Sequence, residues 1–168
     1  MNISIFPGNQ VFGKKTKGSY TAGLLMGKDN HGVYYIVDVI RFQGSPMTVE
    51  KTIKNIASQD GIPTVVGIEQ DPGQAGKAEA QTQLRNLAGY NVILNTVRES
   101  KGVRARPLSA QTEAGNVKLV RGEWNDTFLR ELESFDGSDK CTSDQVDAAS
   151  GAFYLLTKQK RVAGVWGK

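Results

Sequence analysis

The chain has one cysteine, Cys141, and one histidine, His31. A lone thiol can neither close an internal disulfide nor build a cysteine metal cluster. A single imidazole removes most of the raw material for a zinc site or a serine–histidine–aspartate triad. Any metal site in this chain must therefore be assembled from carboxylates. Long apolar runs are also missing: nothing approaches the roughly 20 residues needed to cross a bilayer, and the N-terminus has neither a charged leader region nor a cleavage site. A cytoplasmic location without membrane partners is the expectation. Internal repeats, low-complexity tracts and linkers are absent, and 168 residues suffice for one domain with a substantial core. Positive charge is in modest excess, 21 Lys and Arg against 17 Asp and Glu, which favours a polyanionic partner through long-range attraction.

Local patterns predict an α/β protein. "NISIF" reads as a strand followed by an exposed Gly- and Lys-rich loop. "SYTAGLLMG" and "GVYYIVDVIRF" read as a β-hairpin around Asp29, Asn30 and Gly32. Ser45 is an N-cap with Pro46 in the first helical position, and Val49, Ile53, Ile56 and Ala57 follow helical spacing to a stop near Gly61. The apolar run "IPTVVGIE" suits a strand covered on both faces, and a helix is expected from about Ala75 to Ala88, ahead of another strand, "YNVILNTV". Beyond that, Trp124, Phe128 and Leu132 form one helical stripe, and Val146, Ala149, Phe153 and Leu156 form another. A mixed sheet flanked by helices is the predicted architecture.

The stretch "TVVGIEQDPGQAGKAEAQ" admits two chemistries. A phosphate loop needs Gly, four residues, then Gly-Lys-Ser/Thr. "GQAGKA" has two intervening residues and no hydroxyl, and "GLLMGKD" also fails on spacing, although a helix N-terminus can still bind an anion. The other chemistry is metal ligation by acids at strand ends and on a neighbouring helix, because two ions about 4 Å apart need shared oxygen ligands. Glu69 ends a strand; Asp71, before Pro72 and Gly73, also suits a turn. Asp144 and Asp147 lie three apart on one helix face, where they either ligate a metal or complement the positive end of a surface helix. Asp38, alternating with Ile36 and Ile40 on an otherwise apolar strand face, would need a metal or a basic partner. The basic stretch "RESKGVRARP" reads as a loop in which Arg98, Lys101, Arg104 and Arg106 suit contact with a phosphate backbone, and residues 158–168 form a basic tail.

Three blocks taken together, "YTAGLLMGKDNHGVYYIVDVIR", "GIEQDPGQAGKAEAQ" and "ARPLSAQTEAGNVKLVRGEWNDTFLRELESF" with "SDQVDAASGAF", resemble the C-terminal nuclease domain of tailed-bacteriophage terminase large subunits. The resemblance spans about residues 18 to 157. It implies an RNase H-like fold with a central mixed β-sheet flanked by α-helices, and Mg2+- or Mn2+-dependent cleavage of concatemeric double-stranded DNA with little sequence specificity. Glu69 matches the acid at the end of the family's fourth strand; Asp144 and Asp147 match the second and last acids of its terminal Asp-Asp-x-x-Asp pattern. On this likeness Glu69, Asp144 and Asp147 are catalytic metal ligands, with Asp71 and Asp38 as weaker candidates. Implied partners are a terminase ATPase domain, the small terminase subunit and the portal, at the procapsid in the bacterial host cytoplasm. The chain departs from the pattern twice. Its first-strand region, "ISIFPGNQ", holds no acid where the family carries an Asp, and Ser143 stands for the first Asp of the terminal pair. No Walker A sequence occurs, so an ATPase domain is not expected within these residues. The alternatives are a catalytically impaired RNase H-like module that binds DNA or docks on the packaging machinery, and a nucleotide-binding α/β domain using Gly73 to Lys77.

Overall fold

A computed structural model describes residues 4–7, 20–70, 73–138 and 141–158. Strands β1 (Ser4–Pro7), β2 (Thr21–Lys28) and β3 (Tyr34–Phe42) form an antiparallel meander. Strands β4 (Val65–Gln70) and β5 (Asn91–Thr96) pair in parallel, and β4 lies against β1. A short β6 (Val117–Leu119) adds in parallel to the far edge of β3, which makes the sheet mixed. Five helices complete the fold: α1 (Pro46–Asp60), α2 (Gln74–Asn86), α3 (Lys101–Glu113), α4 (Asn125–Ser134) and α5 (Asp144–Lys158).

The apolar periodicity sorts these helices into layers. Ala22, Leu24 and Met26 of β2 share a core with Phe128 of α4 and with Ala148, Ala149, Ala152 and Phe153 of α5. Alternation along the strand turns Gly23 and Leu25 towards α1 instead, where Val49, Ile53 and Ala57 pack with Val66, Ile68 and Leu87. Helix α1 begins and ends as its sequence predicts: the Ser45 hydroxyl accepts from Thr48 N at 3.2 Å, Pro46 opens the helix, and Gly61 takes φ 81° at its end. Helix α5 lies across β2 and is buried on nearly every side from Gln145 to Phe153. It is a central helix, not a surface one.

Two expectations need correction. The stretch read as a basic loop is the first half of α3. Gly102 and Pro107 look like breakers, yet a Cβ at Gly102 would come within 3.1 Å of Gly137 O, so glycine permits close packing there. Pro107 forfeits one helical hydrogen bond, and the helix persists because its Leu108 face is buried and α3 packs on α5. Second, Asp38 does not share the buried face of Ile36. The β2–β3 register steps from Leu25↔Asp38 to Met26↔Ile36, leaving Val37 as an extra residue. This bulge inverts the alternation, so Ile36 and Val39 are buried and Asp38 is exposed. The sequence reading has no counterpart for β6, which at 3 residues is too short to signal itself.

Candidate functional site

β4 is buried from Val65 to Ile68 and emerges at Glu69, as a strand covered on both faces does when it leaves the sheet. Facing this end are the first turns of α5, carrying Asp144 and Asp147, and of α3, carrying Lys101 and Arg104. The four side chains of Glu69, Asp147, Lys101 and Arg104 meet directly. Arg104 donates through Nη1 to Glu69 Oε1 at 2.5 Å and through Nη2 to Asp147 Oδ1. Lys101 Nζ lies 2.8 Å from Asp147 Oδ2 and donates to Ser143 Oγ at 2.7 Å. Asp147 is only 5% exposed, so both of its oxygens need the positive partners they have. Burial pulls the Lys101 ammonium down, but the hydrogen bond and charge of Asp147, helped by Asp144, outweigh it and hold its pKa above the usual value.

Asp144 sits one turn earlier, half-buried. Its carboxyl is pushed above the usual range, first by burial and then by the negative charge of Glu131, with Asp147 adding to the effect and Arg41 and Lys101 opposing it. Glu131, on α4, is a residue beside the site that the sequence alone did not single out. Its buried carboxylate accepts from Gln145 N at 2.6 Å, Val146 N at 3.3 Å and Gln145 Nε2 at 2.7 Å. A side chain from another helix thus satisfies the orphan N–H groups at the start of α5. Arg41 Nε approaches Glu131 Oε2 at 3.8 Å, and its guanidinium stacks on Tyr20 at 3.7 Å. The available signal was position: residue 131 falls three after Phe128, on the buried face of the α4 stripe.

The other predicted residues are placed apart. Asp38 accepts from its own neighbour Val39 N and borders the small cavity against α1 that Asp60 also lines. Arg98 and Arg106 are exposed, Arg98 before α3 and Arg106 on it. Asp71, residues 8–19 after β1 and residues 159–168 lie outside the described residues. Gly73 precedes α2 and its carbonyl accepts from Lys77 N at 3.1 Å, so the glycine turn starts a helix.

Among the described residues no three metal-ligating side chains already stand in coordinating geometry. The donor set nevertheless fits a hard divalent cation in kind, since Glu69, Asp144 and Asp147 offer only carboxylate oxygens. It fits in charge too, because Arg104 and Lys101 already bring two positive charges to the oxygens of Glu69 and Asp147.

The chain matches the family described as the terminase RNaseH-like domain over residues 12–156. No curated protein sequence matches it. Among solved structures, it is similar to the fowlpox virus resolvase in complex with Holliday junction DNA, with 9% identity, a TM-score of 0.53, and coverage of 95% of this chain and 100% of that one. It is also similar to the yeast mitochondrial Holliday junction resolvase, with 11% identity, a TM-score of 0.51, and coverage of 88% of this chain and 77% of that one. At such identities the likeness is one of fold, and the fold is RNase H-like.

Proposed function

Because the chain belongs to the terminase RNaseH-like domain family, we propose that it is the metal-dependent endonuclease of a viral DNA-packaging terminase, cutting concatemeric duplex DNA with little sequence preference. The observation that carries this reading is the meeting of Glu69 from β4 and Asp147 from α5 on one guanidinium, with Asp144 one turn away. Carboxylates from distant parts of the sequence do not converge on a buried point without a cation to hold them.

Glu69, Asp144 and Asp147 would hold Mg2+ or Mn2+. Such an ion, when bound, activates water and stabilises the leaving oxygen of a phosphodiester. Glu131 fixes the first turn of α5 and so sets where the two aspartates stand. Lys101 and Arg104 supply positive charge beside the scissile phosphate, and exposed Arg98 and Arg106 extend it along the backbone. Backbone contacts carry no sequence information, which suits the low specificity proposed. The natural partners are double-stranded DNA, a terminase ATPase domain, the small terminase subunit and the portal, met at the procapsid in the bacterial host cytoplasm. No described helix is long and apolar enough to cross a membrane.

A second reading, an impaired module that binds DNA or docks on the packaging machinery, is favoured by Ser143 at an acid position and by the absence of any acid before Asp29. Cleavage of supercoiled plasmid in Mg2+, in Mn2+ and in chelator separates the two. Nicking or linearisation with either metal and none in chelator supports the nuclease; a folded protein inert in both metals supports the module.

A further inference from the structure

We propose that Lys101 and Arg104 form a cation lock on the carboxylate site: a divalent ion gains Glu69 and Asp147 only as these two side chains swing away, and the freed cations then become available to DNA phosphate. The inference rests on the metal-site reading above and adds to it an order of events.

Three of the oxygens that a metal would use are already taken. Arg104 holds Glu69 Oε1 and Asp147 Oδ1, while Lys101 holds Asp147 Oδ2. A divalent ion arriving with both cations still in place would sit against two like charges in a half-dry site, where repulsion is strong. The exchange also has somewhere to go. Arg104 borders a groove between β5, α3 and α5 that is lined by Val97, Arg98, Val103 and Tyr154, and the Lys101 side chain is 30% exposed at the first turn of α3. Arg104 is moreover incompletely satisfied where it stands: its Nε is buried without a hydrogen-bond partner. Outward rotation towards a phosphate or water gives that donor an acceptor, which offsets part of the loss of the two carboxylate bonds once a metal ion takes them over. Since each ligand disposes of what obstructs the other, metal and DNA should bind with positive coupling, reciprocal by thermodynamic necessity.

The test uses Mg2+ alone, on the metal-free protein without DNA. Calorimetry gives the Mg2+ affinity of the wild type, Arg104→Gln, Lys101→Gln and Glu69→Gln, and 15N NMR follows the Arg104 Nε–H signal. The lock predicts that this proton exchanges slowly in the metal-free protein and rapidly once Mg2+ saturates the site. It also predicts roughly tenfold tighter Mg2+ binding by Arg104→Gln, about 1.4 kcal/mol, with a smaller gain for Lys101→Gln, which keeps the idea testable should the arginine variant not fold. Simple removal of a charge would change affinity but leave the wild-type Nε–H signal unmoved by Mg2+. An unmoved signal at saturation therefore overturns the lock, and if Glu69→Gln still abolishes binding the metal site itself stands. Mg2+ binding by none of the four proteins overturns the metal site and the lock together.

Discussion

Replacing Glu131 by alanine should damage this protein more than any substitution of the exposed arginines. Glu131 makes no contact outside the fold, but its carboxylate is the acceptor for two backbone N–H groups of α5 and for the Gln145 amide, all in the interior. Alanine leaves those donors dry and unpartnered. Each such group costs about 1–3 kcal/mol, and loss of a capping acceptor alone costs about 0.5–2 kcal/mol. The Val146 bond, at 3.3 Å, is the weakest of the three. Taking the low end for it and for the amide, a total of about 3–5 kcal/mol is expected. That is a large part of the roughly 5–15 kcal/mol that holds a domain folded, and corresponds to a fall in Tm of about 6–20 °C for a chain of this size. Glu131→Gln keeps one acceptor for Gln145 N but sets an NH2 against the Gln145 amide, for a cost of about 1–2 kcal/mol. Urea unfolding at pH 7.5, followed by circular dichroism with equal m-values, measures both. An alanine variant within about 1 kcal/mol of the wild type would refute the capping role.

Asp144→Asn should stabilise the metal-free protein at neutral pH, as urea unfolding across a pH series would show. Burial and Glu131 raise the Asp144 pKa above 3.8, so the folded state binds more protons than the unfolded chain between 3.8 and the raised value. Stability therefore falls as pH rises through that window and stays lower above it; the advantage of the Asn variant should be constant near pH 7 and shrink as pH drops towards 3.8. Phe128, with 0% exposure and an edge-on contact with Trp124 at 5.8 Å between centroids, anchors α4 under α5. Phe128→Ala should cost about 3–5 kcal/mol in the same assay, and a loss under half of that would mean that α4 is not fixed by this ring.

The elements legible in the sequence are those whose periodicity and punctuation agree. Helix α1 has Ser45, Pro46 and Gly61 at its ends and an apolar stripe between them, and it forms where that pattern says. β4 and β5 are short apolar runs between turn signals. Helix α3 was hidden because Gly102 and Pro107 punctuate a stretch whose helicity depends on what it packs against, namely Gly137 and α5. The same tertiary dependence explains the site. Glu69 and Asp147 could be nominated as acids at informative positions, but nothing local says that Arg104 would turn inward to join them rather than outward to solvent. Glu131 was obscured for a related reason: a buried acid is legible only when the helix start it caps, far along the chain, is known. The face of Asp38 relative to Ile36 was illegible because of one inserted residue, since a bulge at Val37 reverses every later side chain and leaves no trace in composition.

The most direct test of the central claim is plasmid cleavage by Glu69→Gln and Asp147→Asn beside the wild type, in Mn2+, with each variant first confirmed as folded by circular dichroism. The account predicts metal-dependent cleavage by the wild type and a loss of at least a hundredfold in both variants. Cleavage retained by either folded variant would show that the acids gathered around Arg104 are not the nuclease centre.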